Sequence, residues 1–245
     1  MKLFGLIGYP LGHSFSKNYF TEKFEREQID ARYDLYEIRD VSALSDIVNN
    51  QELAGLNVTI PYKEQVIPLL DEMDDLAAEI GAVNVIKITH ENGNHRLKGY
   101  NSDIYGFIHS IRPLLKTHHT RALILGTGGA SKAVFFGLKQ LNIEADYVSR
   151  TPKKGCFTYN ELTEEVMRNH SVIINSSPAG TFPTIDEAPA IPYHLVTEKH
   201  ILYDLVYNPP LTRFLAFGQA QGATIKNGQE MLEEQAKKAW QIWME

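Results

Sequence analysis

The 245-residue chain has a single cysteine, Cys156. That scarcity excludes an intramolecular disulfide and any zinc site built from several thiolates. One free thiol suits a reducing compartment, so a cytoplasmic location is expected. Long apolar runs are also missing: none approaches the roughly 20 residues of a membrane-spanning helix, and "MKLFGLIGYPLGHS" meets glycine, proline and histidine too early for a signal-peptide core. Positive charge is in short supply. With 24 Lys+Arg against 30 Asp+Glu, the formal net charge is −6. Nucleic acid is therefore not an expected partner, because phosphate-backbone binding shows as a clustered basic excess. There is no internal repeat and no low-complexity segment. What remains is 43% hydrophobic and 22% charged, an ordinary soluble composition. The length allows one large domain or two modest ones, each burying its own core.

The chain reads as strands alternating with helices. "LFGLIG" (3–8) stops at Gly-Tyr-Pro, and Ser14 can cap the helix in which Phe15, Tyr19, Phe20 and Phe24 recur at helical spacing. Strands are expected at 31–38 and 53–60, with a helix at "VSALSDIVNN" between them. "KEQVIPLLDEM" and "DLAAEIGA" read as short helices, the first broken by Pro68, and "NVIKI" with "RLKGYN" reads as a hairpin around "HENGN". The pattern then restarts with "TRALILGTGGASKAVFFGLKQL" as strand, glycine turn and helix. Strands follow at "EADYVSR", "SVIINSSPAG", "HILYDLVYNP" and "ATIKNG", and the tail "QEMLEEQAKKAWQIWM" is an amphipathic helix. This order implies an α/β fold with largely parallel sheets and a boundary near residues 104–119.

The glycine turn carries the clearest chemistry. Gly126, Gly128 and Gly129 follow an apolar strand and open a helix. There the first glycine permits a tight turn, and the others let backbone N–H groups approach a pyrophosphate at the positive helix end. The run is G-x-G-G-A, with Ser131 where the common fingerprint has its third glycine. A tight turn needed only for packing is the competing explanation. The next strand ends in "YVSRTPKKG", with Ser149 where an NAD site places an acid and with Arg150, Thr151, Lys153 and Lys154 beyond it. An arginine beside a hydroxyl suits a 2′-phosphate, so NADP is favoured over NAD, against the alternative of a solvated basic loop.

The first half has polar groups at its expected strand ends: Ser14 and Ser16 in "GHSFSK", Asn57, Thr59 and Lys63 in "NVTIPYK", Asn84 in "AVNVI" and Asp103 in "YNSDIYG". Ligands of open α/β sheets bind outside the carboxyl ends of the strands, where these groups could converge. Lys63 and Asp103 are the pair able to move a proton. Taken singly, Ser14 serves as well as a helix cap, Asn84 as a turn residue and Asp103 as a solvated acid. Pro61, unable to donate to a sheet, is expected to end its strand and let Lys63 begin the next helix.

Together these motifs resemble the shikimate dehydrogenase family. "GYPLGHSFSK", "GLNVTIPYKE", "GAVNVI", "NSD", "GTGGASKA", "NSSPAG", "DLVYNPPLTRFL" and "GQEMLEEQA" match its motifs in order, from residue 4 to about 243. The resemblance implies a two-domain enzyme with a cleft between the domains, reducing 3-dehydroshikimate reversibly to shikimate with NADPH. Its substrate domain, with a mainly parallel sheet, would comprise residues 1–104 and 227–245, and its Rossmann-like NADP-binding domain residues 105–226. By the same resemblance Ser14 and Ser16 would bind the substrate carboxylate, and Thr59, Asn84 and Gln229 its hydroxyls. Lys63 and Asp103 would be the catalytic pair. Gly126, Gly128, Gly129 and Ala130 would cradle the pyrophosphate, and Arg150 with Thr151 the 2′-phosphate. The expected assembly is a monomer or a homodimer. Tyr100 and Ile104 depart from the family pattern, replacing an acid and a glycine around "NSD".

Three other functions fit less well. A quinate/shikimate dehydrogenase using NAD is opposed by Arg150 and the missing strand-tip acid. A related folate dehydrogenase is opposed by the serine pair and "NSD". A shikimate- or nucleotide-binding regulatory module without turnover would have no need of both Lys63 and Asp103.

Overall fold

The computed structural model describes residues 1–12, 14–91 and 93–245. His13 and Asn92 lie outside the described residues, so the turn expected at "HENGN" is described only in part. The chain divides into two compact units, Met1–Asp103 with Gln235–Glu245, and Ile104–Glu234.

In the first unit the strands are β1 (Lys2–Gly8), β2 (Ala31–Glu37), β3 (Leu53–Val58), β4 (Glu72–Met73), β5 (Val85–Glu91) and β6 (Asn94–Tyr100), ordered β2-β1-β3-β5-β6-β4. β1 runs parallel to β2 and β3, and β4 parallel to β6, while β5 is antiparallel to both its neighbours. Alternation along β1 gives the sheet two apolar faces. Leu3 and Ile7 pack with Leu44, Val48, Leu56 and Ile86, whereas Phe4 and Leu6 pack with Phe20, Phe24 and Tyr33. Helices α1 (Phe15–Arg26), α2 (Ala43–Asn50) and α3 (Asp75–Ile80) complete this part of the unit. Ser14 does cap α1, its Oγ accepting from the Lys17 N–H at 3.4 Å.

The aromatic face is closed by the C-terminal half of a long helix, α8 (Gln229–Met244), which contributes Ala236, Ala239, Ile242 and Trp243. Trp243 donates its Nε1–H to the Ile86 carbonyl at 3.0 Å. A side chain on Gly55 would collide with the Trp243 indole, so this position of β3 has room only for glycine.

"KEQVIPLLDEM" is not helical. Residues 60–66 make consecutive turns, Ile67–Leu69 one 3-10 turn, and Glu72–Met73 the short β4. Pro68 contributes to this: its nitrogen has no hydrogen to donate and its ring crowds the preceding turn, so a longer α-helix cannot run through it. Lys63 therefore stands in a turn, five residues beyond the end of β3, rather than at a helix start.

The second unit has β7 (Arg121–Leu125), β8 (Glu144–Ser149), β9 (Cys156–Thr158), β10 (Val172–Asn175), β11 (Ile201–Asp204) and β12 (Thr224–Lys226), ordered β12-β11-β10-β7-β8-β9. Every neighbouring pair is parallel. This is the doubly wound dinucleotide-binding order, whose direction reverses between β7 and β10. The strands of this sheet are buried on both faces: Leu123, Ile173 and Leu202 lie in one apolar cluster with Phe214, and Ala122, Ile124, Ile174 and Tyr203 are equally inaccessible. Helices α4 (Asp103–Ile111), α5 (Gly129–Gln140), α6 (Glu164–Asn169) and α7 (Arg213–Ala220) precede or connect these strands. Phe107 of α4 packs against Gly137 of α5, where any side chain would meet its ring.

Candidate active site

The polar centre of the first unit is built on three chain segments. Lys63 is held by the turn after β3, where its backbone carbonyl accepts from the Val83 N–H at 2.7 Å. Asn84 immediately precedes β5, and Asp103 is the first residue of α4. The Lys63 Nζ donates to Asp103 Oδ2 at 2.6 Å, with the two side chains 15% and 3% exposed. So little water reaches the pair that each charge depends on the other for its solvation.

Asn84 fixes the aspartate. Its Nδ2 donates toward Asp103 Oδ1 at 2.9 Å, Ser102 Oγ at 3.0 Å and Gln235 Oε1 at 3.0 Å. Its Oδ1 accepts from the Ser102 N–H at 2.7 Å, which fixes which way the carboxamide faces. Polar contacts continue outward through the Asn84 carbonyl, which accepts from Asn57 Nδ2 at 3.3 Å, to the Tyr33 hydroxyl, which donates to Asn57 Oδ1 at 2.8 Å. Burial pushes the pKa of the Tyr33 hydroxyl well up, and the Ser16 side chain opposes that shift. Tyr33, Asn57, Asn84, Asp103 and Lys63 thus belong to one hydrogen-bonded chain. Ser14 caps α1 beside it. Thr59 stands at the same strand ends, with its methyl where a Gly8 side chain would be.

The nucleotide-type turn of the second unit follows β7. Gly126 has φ +117°, a backbone conformation that side chains rarely adopt, and a Cβ there would press on Ser176 and Ser177. Gly128 precedes α5 with no side-chain cap, and a Cβ on it would meet nothing within 4 Å. The turn therefore leaves open space over the N-terminal end of a 12-residue helix, as a pyrophosphate requires. At the tip of β8, Ser149 is buried and its Oγ accepts from the Thr151 N–H at 3.4 Å. Arg150, Thr151, Lys153 and Lys154 are exposed. Lys153 reaches back to the turn, donating from Nζ to Thr127 Oγ1 at 2.9 Å. With no carboxylate between residues 149 and 155, the residues present fit a 2′-phosphorylated dinucleotide.

Comparison with known proteins gives the same answer along the whole chain. Residues 6–86 match the shikimate dehydrogenase substrate binding domain. A shikimate dehydrogenase (NADP(+)) of Syntrophomonas wolfei is 36% identical, over 96% of this chain and 86% of its own. The chain belongs to the shikimate dehydrogenase family. Among solved structures, shikimate dehydrogenase 1 of Peptoclostridium difficile superposes with a TM-score of 0.87 at 34% identity, covering 100% of this chain and 92% of that one. The shikimate 5-dehydrogenase of Thermus thermophilus, solved with NADP(H) and shikimate, gives 0.86 at 29% identity, covering 99% and 93%.

Gln229 is the glutamine expected to bind substrate. Gln229 opens α8 and turns its carboxamide along its own helix, donating from Nε2 to Glu233 at 2.8 Å. The glutamine that meets Asn84 is Gln235. Six residues of helix separate the two, which places them on different faces. The signal for Gln235 is present in the sequence: it stands four residues after Met231 and four before Ala239, the one strongly polar group on that stripe. Ser102 is a second site residue that the motifs do not single out. The family departures are absorbed by packing: Tyr100 lies against the aromatic core with Lys98 Nζ 5.7 Å from its ring centroid, and Ile104 is 2% exposed.

Proposed function

We propose that this chain is an NADP-dependent shikimate dehydrogenase that reversibly reduces 3-dehydroshikimate to shikimate. The observation that carries the proposal is the buried Lys63–Asp103 pair, locked by Asn84, in a chain of this family. The first unit is the substrate unit and the second the nucleotide unit. When bound, NADPH supplies the hydride that adds to the substrate keto carbon. Lys63 then faces the oxygen that gains negative charge, stabilises it and provides a proton. Asp103 orients the ammonium and the neighbouring substrate hydroxyl. The same groups act in reverse during oxidation, when a hydroxyl proton must leave.

The remaining polar groups hold the ring. Ser14 and Ser16, at the start of α1, donate to the substrate carboxylate. Thr59, Asn84 and Gln235 serve the hydroxyls, Gln235 taking the part expected of Gln229. Gly126, Gly128, Gly129 and Ala130 accommodate the pyrophosphate, and Arg150 with Thr151 the 2′-phosphate. The enzyme works in the cytoplasm as a monomer or a homodimer; no helix of the described residues is long and apolar enough to cross a membrane.

The test is an absorbance assay of nicotinamide reduction, with shikimate or quinate as substrate and NADP or NAD as acceptor. Fast turnover with shikimate and NADP alone is expected. Equal rates with NAD or with quinate would contradict the cofactor or the substrate assignment respectively. Failure of the folded protein in all four combinations would leave a binding module.

A further inference from the structure

The proton-transfer pair and the glycine turn leave one buried acid of the second unit without a role. Asp204 is the last residue of β11 and is 0% exposed. Its carboxylate is enclosed by donors from three places. Oδ1 accepts from Asn175 Nδ2 at 2.9 Å and from the Val206 N–H at 3.0 Å, and Oδ2 from Thr212 Oγ1 at 2.6 Å. Each partner stands at the carboxyl edge of the sheet, at a strand end or in the loop beyond one. Asn175 ends β10, and its Oδ1 accepts from the Ser177 N–H at 3.1 Å and Ser177 Oγ at 2.6 Å, shaping the "NSSPAG" loop. Thr212 caps α7 through the Leu215 N–H at 3.3 Å and closes the loop that Val206 opens. The two loops are further joined by the Phe182 N–H donating to the Asn208 carbonyl at 3.1 Å.

The position of this network says what it serves. A dinucleotide lies across the carboxyl edge of a doubly wound sheet, one mononucleotide on each side of the point where strand order reverses. Here the reversal is between β7 and β10. The glycine turn and Arg150 occupy the β7–β8 side, which takes the adenosine half. The loops after β10 and β11 occupy the opposite side, which is left for the nicotinamide half.

We infer that Asp204 is a positioning residue that sets the loops 175–180 and 205–212 in the shape that orients the nicotinamide ring. The inference rests on the NADP assignment above and concerns the half of the cofactor where hydride leaves. Burial pushes the Asp204 carboxyl up to about 6, against the opposing effect of its three donors. At neutral pH it is therefore the ionised, acceptor-only form that collects the three donors.

The test compares the wild-type protein with Asp204→Asn, which keeps the shape and replaces an acceptor oxygen by a donor. Calorimetry with 2′-phospho-ADP-ribose, which has all of NADP except the nicotinamide, reads every part of the cofactor site but that for the ring. Its affinity should stay within about twofold, while kcat for shikimate oxidation falls at least tenfold with little change in the shikimate KM. Hydrogen exchange of the cofactor-free proteins should show protection lost at 176–180 and 206–211 and retained at 121–130. Unchanged kcat, intact loop protection, or a loss of 2′-phospho-ADP-ribose affinity matching the loss of rate would each overturn the inference. If Asp204→Asn fails to fold, Thr212→Val removes one donor to Asp204 together with the α7 cap and should give a smaller loss of the same kind; its absence would overturn the inference equally. A wild-type protein that does not bind 2′-phospho-ADP-ribose would instead refute the NADP assignment.

Discussion

Asn84 has two amide hydrogens and three oxygens around them, those of Asp103, Ser102 and Gln235. That makes it the hinge of the site: one carboxamide sets the aspartate, the loop before α4 and the glutamine of α8. Truncation to Ala would leave a buried carboxylate with Lys63 as its remaining described side-chain partner. Asn84→Ala should cost about 1–3 kcal/mol in urea unfolding, the penalty for stranding buried polar groups, and should lower kcat as Asp103 loses its orientation. Unchanged stability together with unchanged kcat would contradict this. Lys63, Asn84 and Asp103 were each expected near a strand end, and the fold brings their side chains into hydrogen-bonding contact. The contact of Gln235 with Asn84 was not foreseen, because a motif gives an order of residues whereas a helix face is fixed by spacing.

Most strands and helices were legible, including the three-residue β12 and the six-residue α3, whereas β4, β9, α4 and α6 were not. β1, β3, β7 and α5 all appear near their expected bounds. β4 and β9 have two and three residues, too few for any alternation to register. α6 has six residues and is announced only by its Thr163 cap, whose Oγ1 accepts from the Val166 N–H at 3.3 Å. α4 was hidden for another reason. Its sequence "DIYGFIHSI" is apolar nearly all round, which a buried helix and a buried strand share. The glycine turn was readable as a turn. Its accessibility was not, because only the fold shows Gly126 pressed against Ser176 and Gly128 left open.

At the scale of the whole molecule, burial shifts two groups of the second unit, His119 and Asp204, and so ties stability to pH. His119 is 6% exposed; its Nδ1 accepts from the Lys116 N–H at 2.8 Å, so its Nε2 carries the proton toward the Lys199 carbonyl at 3.1 Å. Burial, chiefly, lowers its pKa from the ordinary 6.5. The folded state thus resists a proton that the unfolded chain accepts, so the stability held above about pH 6.5 is lost as pH falls. His119→Gln cannot take up that proton, and the wild-type protein should lose Tm relative to it as pH drops from 7.5 to 5. A constant difference would refute the assignment. Asp204 acts in the opposite sense. Its carboxyl, raised to about 6, holds a proton that an unfolded aspartate releases near 4, so falling pH between those values favours the fold.

The central claim, that Lys63 and Asp103 form the proton-transfer pair, is tested most directly by steady-state kinetics of Lys63→Ala with shikimate and NADP. The account predicts that kcat falls by about 10²–10⁴, as for loss of a general acid–base group, while the shikimate KM changes little. An unaltered kcat with a large rise in KM would contradict it and make Lys63 a binding residue.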